Sequence, residues 1–346
     1  MSVFLEGKQP LCMAVYNDDK LVGLAPFWVQ QERLIGFGSL RVLRFIGSEE
    51  VCPDHLNIIV SRKNSKAICS AVWEHLYSKL RRDWDILEYN YVPSDSPVLN
   101  TLYRLSENDD RCPAAVITGY TICPYIALPE TWEQFVKTIS ADQKRDIKYS
   151  EDLLAKAGVL ILKVCDSITE LPLFMKTHID LHRKSWKDRG ESGSFNTERF
   201  RRFHNEFAHD LLLKGKLLLC SLELNDVPIG SFYGFEYNKV MHYYLIGVDR
   251  SAVPKASIGR VLVGRCIQIA IERGCREFDF LRGYEDYKYD WTDTDRREWS
   301  ITFYNRSFRS LIYILEQFIS RYIKQVGRAL LGSKTAQVRA WLSKNK

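Results

Sequence analysis

The stretch HYYLIGVDRSAVPKASIGRVLVGRCIQIAIERGCREFDFLRGYEDYK, residues 242–288, reads as strand, loop, helix, strand and tight turn. Aromatic and aliphatic residues dominate its first run, as in a half-buried strand. Ile258, Val261, Leu262, Cys266, Ile269 and Ala270 then share one helical face, and Gly274 stops the helix. Ser257 is placed as the N-cap, and Gly259 removes a side chain from the first turn. A strand that enters a helix this way leaves backbone N–H groups unpaired at the positive end of the helix dipole. The arrangement suits a pyrophosphate, with Lys255 and Arg260 as mobile flanking charges. The plainer reading is an ordinary capped helix start.

Outward from this stretch, the same pattern occurs twice. LCMAVYNDDKLVGLAPFWV (11–29) and LLLCSLELNDVPIGSFYGFEY (217–237) each read as two strands joined at a polar Asn-Asp turn. Each leads to a strand ending in Ile-Gly (44–47 and 244–247), then an amphipathic helix (64–82 and 257–273), then a strand (85–92 and 276–281). The second copy is preceded by a helical segment over 131–158, a strand over 159–164 and a helix from Ser167 to Asp188. The order predicts an α/β fold of two similar units, each a mixed, mostly antiparallel sheet flanked by helices. The expected divisions are 1–128, 129–305 and a basic helical tail over 306–346.

The 346 residues are 46% apolar and 27% charged, ordinary for globular domains. No apolar run is long enough to span a bilayer, and no secretory leader is evident, so a cytoplasmic location is expected. The nine cysteines form no CxxC pair and are expected as buried thiols. The net charge of +6 is uneven: residues 305–346 carry +8 and the remainder −2. A nearly neutral body argues against nucleic-acid binding by the whole chain. Over 310–331, apolar residues recur every three or four positions with basic residues between them, as in a helix lying on an anionic membrane surface.

The order of elements around 242–288 resembles the GNAT superfamily of N-acyltransferases. That resemblance implies that the loop and helix over Lys255, Ala256, Ser257, Ile258, Gly259 and Arg260 hold the pyrophosphate of acyl-CoA, the co-substrate. The superfamily pattern there is Arg or Gln, two residues, Gly, one residue, then Gly or Ala. KASIG departs from it, with Lys255 at the start and no first glycine. FDFLRGYEDYK (278–288) and IDLHRKSWKDRG (179–190) are similar to the CelD-like branch, often linked to exopolysaccharide synthesis and related to the Fem-type tandem GNAT proteins. Chains of that branch begin further upstream of the hairpin, so the first unit is expected to be truncated or degenerate. Its helix start, SRKNSKAICS (61–70), lacks glycine, so one cofactor site is expected, in the second unit.

Acyl transfer to an amine needs a neutral amine, a polarised thioester carbonyl and a protonated leaving thiolate. The resemblance assigns carbonyl polarisation to the backbone of Ile246, Gly247 and Val248. Tyr287 is the candidate acid, and Glu285 or Asp286 the candidate base. Asp279 either faces the cleft or holds the turn at Gly283; Lys288 either binds an acidic acceptor group or pairs with Asp286 or Asp290. His178, His182 and Trp186 recur on one helix face and, with Arg183, either line the acceptor pocket or simply pack. His-x₃-His is metal-ligand spacing, yet Ile179 stands where a zincin has Glu, and no metal site is expected.

These readings predict an acyl-CoA-dependent N-acyltransferase acting on a small-molecule or sugar-linked amine. The alternatives are a Fem-type transfer from aminoacyl-tRNA, the one case that would need nucleic acid, and a non-catalytic scaffold.

Overall fold

The computed structural model describes residues 3, 8–34, 36–48 and 51–320. They form two compact units, each built from discontinuous segments. The first contains Gly7–Ile46, Leu56–Gly119 and the described chain from Trp299 onward; the second contains Gly47–His55 and Tyr120–Glu298, joined by Val3.

In the first unit, β1 (Gln9–Asn17) and β2 (Lys20–Leu34) form an antiparallel hairpin, and β3 (Gly38–Phe45) is antiparallel to β2. The short β4 (Ile59–Val60) also pairs with β2. Helix α1 (Ser65–Tyr77) returns the chain to β5 (Ile86–Pro93), parallel to β3, and α2 (Pro97–Glu107) follows. A core of large side chains, among them Phe27, Phe45, Trp84 and Tyr89, is fully enclosed.

The second unit begins within β6 (Ala115–Ala127). The segment 131–158, expected as one helix, is two: α3 (Trp132–Thr138) and α4 (Ala141–Ala157). The reason lies in two caps, since Thr131 accepts from the Gln134 N–H and Ser140 from the Gln143 N–H, with Ile139 extended between them. β7 (Leu160–Val164), α5 (Leu171–Lys187) and α6 (Glu198–Leu213) lead to β8 (Leu217–Leu224), β9 (Val227–Tyr237) and β10 (Val240–Val248), an antiparallel meander. Its two tight turns carry positive φ at both central residues, Asn225-Asp226 and Asn238-Lys239, the twist that a two-residue hairpin requires. Helix α7 (Ile258–Glu272) then crosses to β11 (Glu277–Asp279), parallel to β10 and antiparallel to β6. The single-turn α8 (Asp286–Tyr289) and β12 (Asp295–Tyr304) complete the order. Val261, Leu262, Cys266 and Ala270 of α7 are buried in the unit's largest apolar cluster.

Hairpin, third strand, helix and parallel strand thus recur in the same order in both units. Among the described residues, only the second has elements corresponding to β7, α5 and α6 before its hairpin. The tail is helical over 308–320; the remainder of the amphipathic stretch, 321–331, lies outside the described residues.

Candidate functional site

The site starts where two strands part. β10 pairs with β11 only through Val240, Met241 and His242, whereas on its other edge it stays paired with β9 out to Val248. A bulge between Tyr243 and Leu245 shifts the register at the point of separation. A cavity of about 730 Å³ opens there, inside the second unit, lined by β10 residues Tyr243–Ile246 and Val248, the start of α7, one face of α5 and the 280–291 segment. Gly247 faces away from it. A β-carbon at Gly247 would sit 2.3 Å from the His182 nitrogen, so β10 meets the backbone of α5 with no side chain between them.

The loop entering α7 brings Lys255, Ala256, Ser257, Ile258, Gly259 and Arg260 to the cavity wall. Two expectations for it need correction. Ser257 stands at the N-cap position as expected, but its side chain makes no capping hydrogen bond; its backbone N–H donates to Ser150 Oγ at 3.0 Å, which ties the loop to α4. Arg260 is not a mobile charge, because its guanidinium bridges Asp146 at 2.8 Å and Asp290 at 2.5 Å. The free positive charge comes from elsewhere. Among the described residues, Arg189, Arg250 and Lys255 line the cavity without an ion-pair partner, and Arg189 lies over the Trp186 ring. Gly259 leaves room at the helix start: a β-carbon there would meet only Val248, at 3.8 Å.

Tyr287 reaches the cavity from α8, where its ring meets that of Tyr243 edge-on with centroids 6.3 Å apart. Burial pushes its pKa up to about 12, so it stays protonated at neutral pH. Glu285 also lines the cavity, but its carboxylate is folded over Gly283 and held by Lys288 at 2.9 Å. Lys288 is therefore a buried brace; it also donates to the carbonyls of Leu281 and Arg282. Its partner is Glu285, not the expected Asp286 or Asp290, and Asp290 is taken by Arg260.

On α5, His182, Ser185 and Trp186 face the cavity. The His182 ring is buried with neither nitrogen hydrogen-bonded, and burial lowers its pKa to about 4, so it is neutral. His178 and Arg183 do not line the cavity. His178 Nδ1 lies 3.1 Å from Ser231 Oγ, and Arg183 donates to the Phe195 carbonyl.

Sequence reasoning passed over the segment 51–55. Tyr244 donates its hydroxyl proton to the Val51 carbonyl at 2.9 Å, and Arg282 Nε pairs with Asp54 Oδ1 at 3.2 Å. His55 is clasped by two carboxylates: Nε2 lies 2.8 Å from Asp279 Oδ2, and Nδ1 lies 2.6 Å from Glu298 Oε1. Burial alone would lower the His55 pKa, but hydrogen bonds to Asp279 and Glu298 carry it up to about 10. Asp279 is thus an internal strut facing His55, and it also accepts from the Leu281 N–H at 2.7 Å to fix the turn after β11. Asp54 and Cys52 line the cavity, and nothing in the local pattern VCPDHL marks them. The missing signal is long-range, since the partners of Asp54 and His55 lie 228 and 224 residues away.

Ligand atoms of His55, Cys123 and Glu298, and of His55, His242 and Asp279, fall within 4.8 Å of one another. Both His55 ring nitrogens are engaged by carboxylates and the ring is held protonated, so it offers no lone pair to a cation.

Residues 141–289 match the family described as an acetyltransferase (GNAT) domain. Among solved structures, FemX is similar, with 12% identity, a TM-score of 0.58, and 90% of this chain and 91% of that chain covered. L-PGS from Bacillus licheniformis gives 12% identity and a TM-score of 0.51, covering 92% of this chain and 95% of that one. The C-terminal domain of a protein provisionally assigned as a lysylphosphatidylglycerol synthetase, from Agrobacterium fabrum, gives 9% and 0.53, covering 90% and 89%. None of the curated proteins matches the chain. At these identities the structural likeness speaks for the fold. The family match lies within the second unit and, with the structural likeness, marks that unit as GNAT-like in fold. More particularly, the matched segment runs from the start of α4 to the end of α8, and so carries most of the cavity wall.

Proposed function

We propose that the chain is an acyl-CoA-dependent N-acyltransferase. The observation that carries the reading is the convergence of Arg189, Arg250 and Lys255, unpaired, on a cavity that includes the uncapped N-terminus of α7. Free N–H groups at a helix start and uncompensated cations are what a pyrophosphate and a further phosphate require. In this reading the donor's phosphates lie against Lys255–Gly259, and its thioester lies along Ile246–Val248, where β10 has left β11. Backbone N–H groups there polarise the carbonyl. Tyr287, held protonated, donates to the departing thiolate. His182 and Trp186 border the space left for the acceptor. That the acceptor is a sugar-linked amine rests on the resemblance to the CelD-like branch alone.

The test is thermal stabilisation by CoA, acetyl-CoA and a long-chain acyl-CoA. A ligand specific to the folded state adds about 2.7 kcal/mol at a hundred times its dissociation constant. The expected result is a shift of a few degrees that disappears in Gly259→Glu, whose side chain would enter the phosphate space. No shift with any thioester, together with salt-sensitive tRNA binding, would instead favour aminoacyl transfer.

Peripheral membrane contact is also proposed. On the helix over 308–320, Phe308, Leu311, Leu315 and Phe318 form an exposed apolar row flanked by Arg306 and Arg309. No described helix is long and apolar enough to cross a membrane.

A further inference from the structure

We propose that Asp54 is the group that takes the proton from the acceptor amine. The inference rests on the acyl-transfer reading above and adds to it the second proton-transfer group. Asp54 lines the same cavity as Tyr287 and the separating end of β10, and its side chain is only 4% exposed. The loop that carries it is anchored at three points: Tyr244 to the Val51 carbonyl, Arg282 to Asp54 itself, and His55 to Asp279 and Glu298. Cys52 and His55 sit at positive φ, a backbone shape held by those anchors. Asp54 is therefore a fixed carboxylate, and the other acids of the wall are paired more tightly. Asp290 lies 2.5 Å from Arg260 and Glu285 2.9 Å from Lys288, against 3.2 Å between Asp54 and Arg282, and His182 is too weakly basic in its buried setting.

The electrostatics agree with this role. Burial pushes the Asp54 carboxyl up to about 6, and Glu298 pushes in the same direction; Arg282 and the protonated His55 oppose it. Tyr244 and Cys123 also lie near it, and burial keeps both neutral; the Cys52 thiol lines the same cavity. A carboxylate that titrates close to neutrality is ionised in the cell yet basic enough to accept a proton.

In the step itself the amine nitrogen forms a bond to the thioester carbon and the carbon–sulfur bond breaks. Asp54 accepts the proton lost by nitrogen, Tyr287 gives its proton to sulfur, and exchange with solvent restores both groups.

The test uses the full chain as wild type and Asp54→Asn. With carboxyl-labelled aspartate, the carbon resonance absent from Asp54→Asn belongs to Asp54, and its titration midpoint should lie near 6. A midpoint near the usual 4 would overturn the proposal, whichever amine is the true acceptor. Acetyl-CoA should stabilise wild type and Asp54→Asn equally; loss in Asp54→Asn alone would make Asp54 part of the donor site and overturn its role. No stabilisation of wild type would instead be a failure of the donor reading. With acetyl-CoA and glucosamine as probes, Asp54→Asn should lower kcat by about 10²–10⁴-fold and remove the acidic limb of the rate profile. An unchanged rate and profile in Asp54→Asn would refute the assignment.

Discussion

Gly247 shows how a single missing side chain sets the site. Its Cα hydrogen faces the backbone of α5 at Leu181 and His182, where a β-carbon would lie 2.3–2.8 Å from main-chain atoms. Backbone cannot yield as a flexible side chain does, so Gly247→Ala must move α5, and with it His182 and Trp186. The expected cost is about 1–3 kcal/mol in a urea titration. Gly259→Ala, by contrast, meets nothing closer than 3.8 Å and should leave the midpoint unchanged. His55 supplies a second prediction. Its pKa is raised from about 6.5 when unfolded to about 10, so its stabilising contribution is complete below about pH 6.5 and is lost as pH rises through 10. Replacing it with glutamine leaves the fully buried Glu298 without its cation and the fully buried Asp279 with only Arg296, 3.9 Å away. The loss should reach about 3–5 kcal/mol near neutrality and shrink towards pH 10, as the wild type loses the same advantage. Urea midpoints of the two proteins across pH 6–10 check both the size and the sign.

The elements around the cavity divide the work. β10 supplies an edge that its neighbour has abandoned, and α7 supplies a helix start whose cap residue leaves the first N–H groups to others. α4 contributes Ser150, which holds the entering loop, and Asp146, which holds Arg260. The helix over 308–320 is a separate case. Ile312, Tyr313 and Ile314 pack against the first unit's own cluster, while Phe308, Leu311, Leu315 and Phe318 stay exposed. If that row meets a lipid surface, the full chain should pellet with vesicles containing anionic lipid, and Leu315→Asp with Phe318→Asp should abolish pelleting. Equal pelleting of both proteins would rule the row out as the contact.

Taken together, the two units repeat one order of strands and helix, but they are not equivalent in chemistry. The cavity lies in the second, and α1 in the first begins without a glycine at its N-terminal turn. The second unit also includes Gly47–His55, a segment that in sequence belongs among the elements of the first. Through it, residues placed early in the chain join a wall made mostly by residues 182–291.

The elements themselves were legible because their signals are local. Asn-Asp turns, the helical face from Ile258 to Ala270 and the stop at Gly274 each depend on residues a few positions apart. Position along the chain was also enough to bring Ile246, Val248, Lys255–Arg260, Glu285 and Tyr287 to one cavity, since strand, loop, helix and strand follow without interruption. Whether a charge within that cavity is free or spent was not local. Arg260 is neutralised from α4, Lys288 is absorbed by its own turn, and Asp279 answers to a histidine 224 residues away. Sequence by itself determined the order of elements and the face that carries the cavity, because periodicity and turn chemistry act over single turns. Tertiary structure decided which ionisable groups remain available and added Asp54, because pairing and desolvation depend on distance in space.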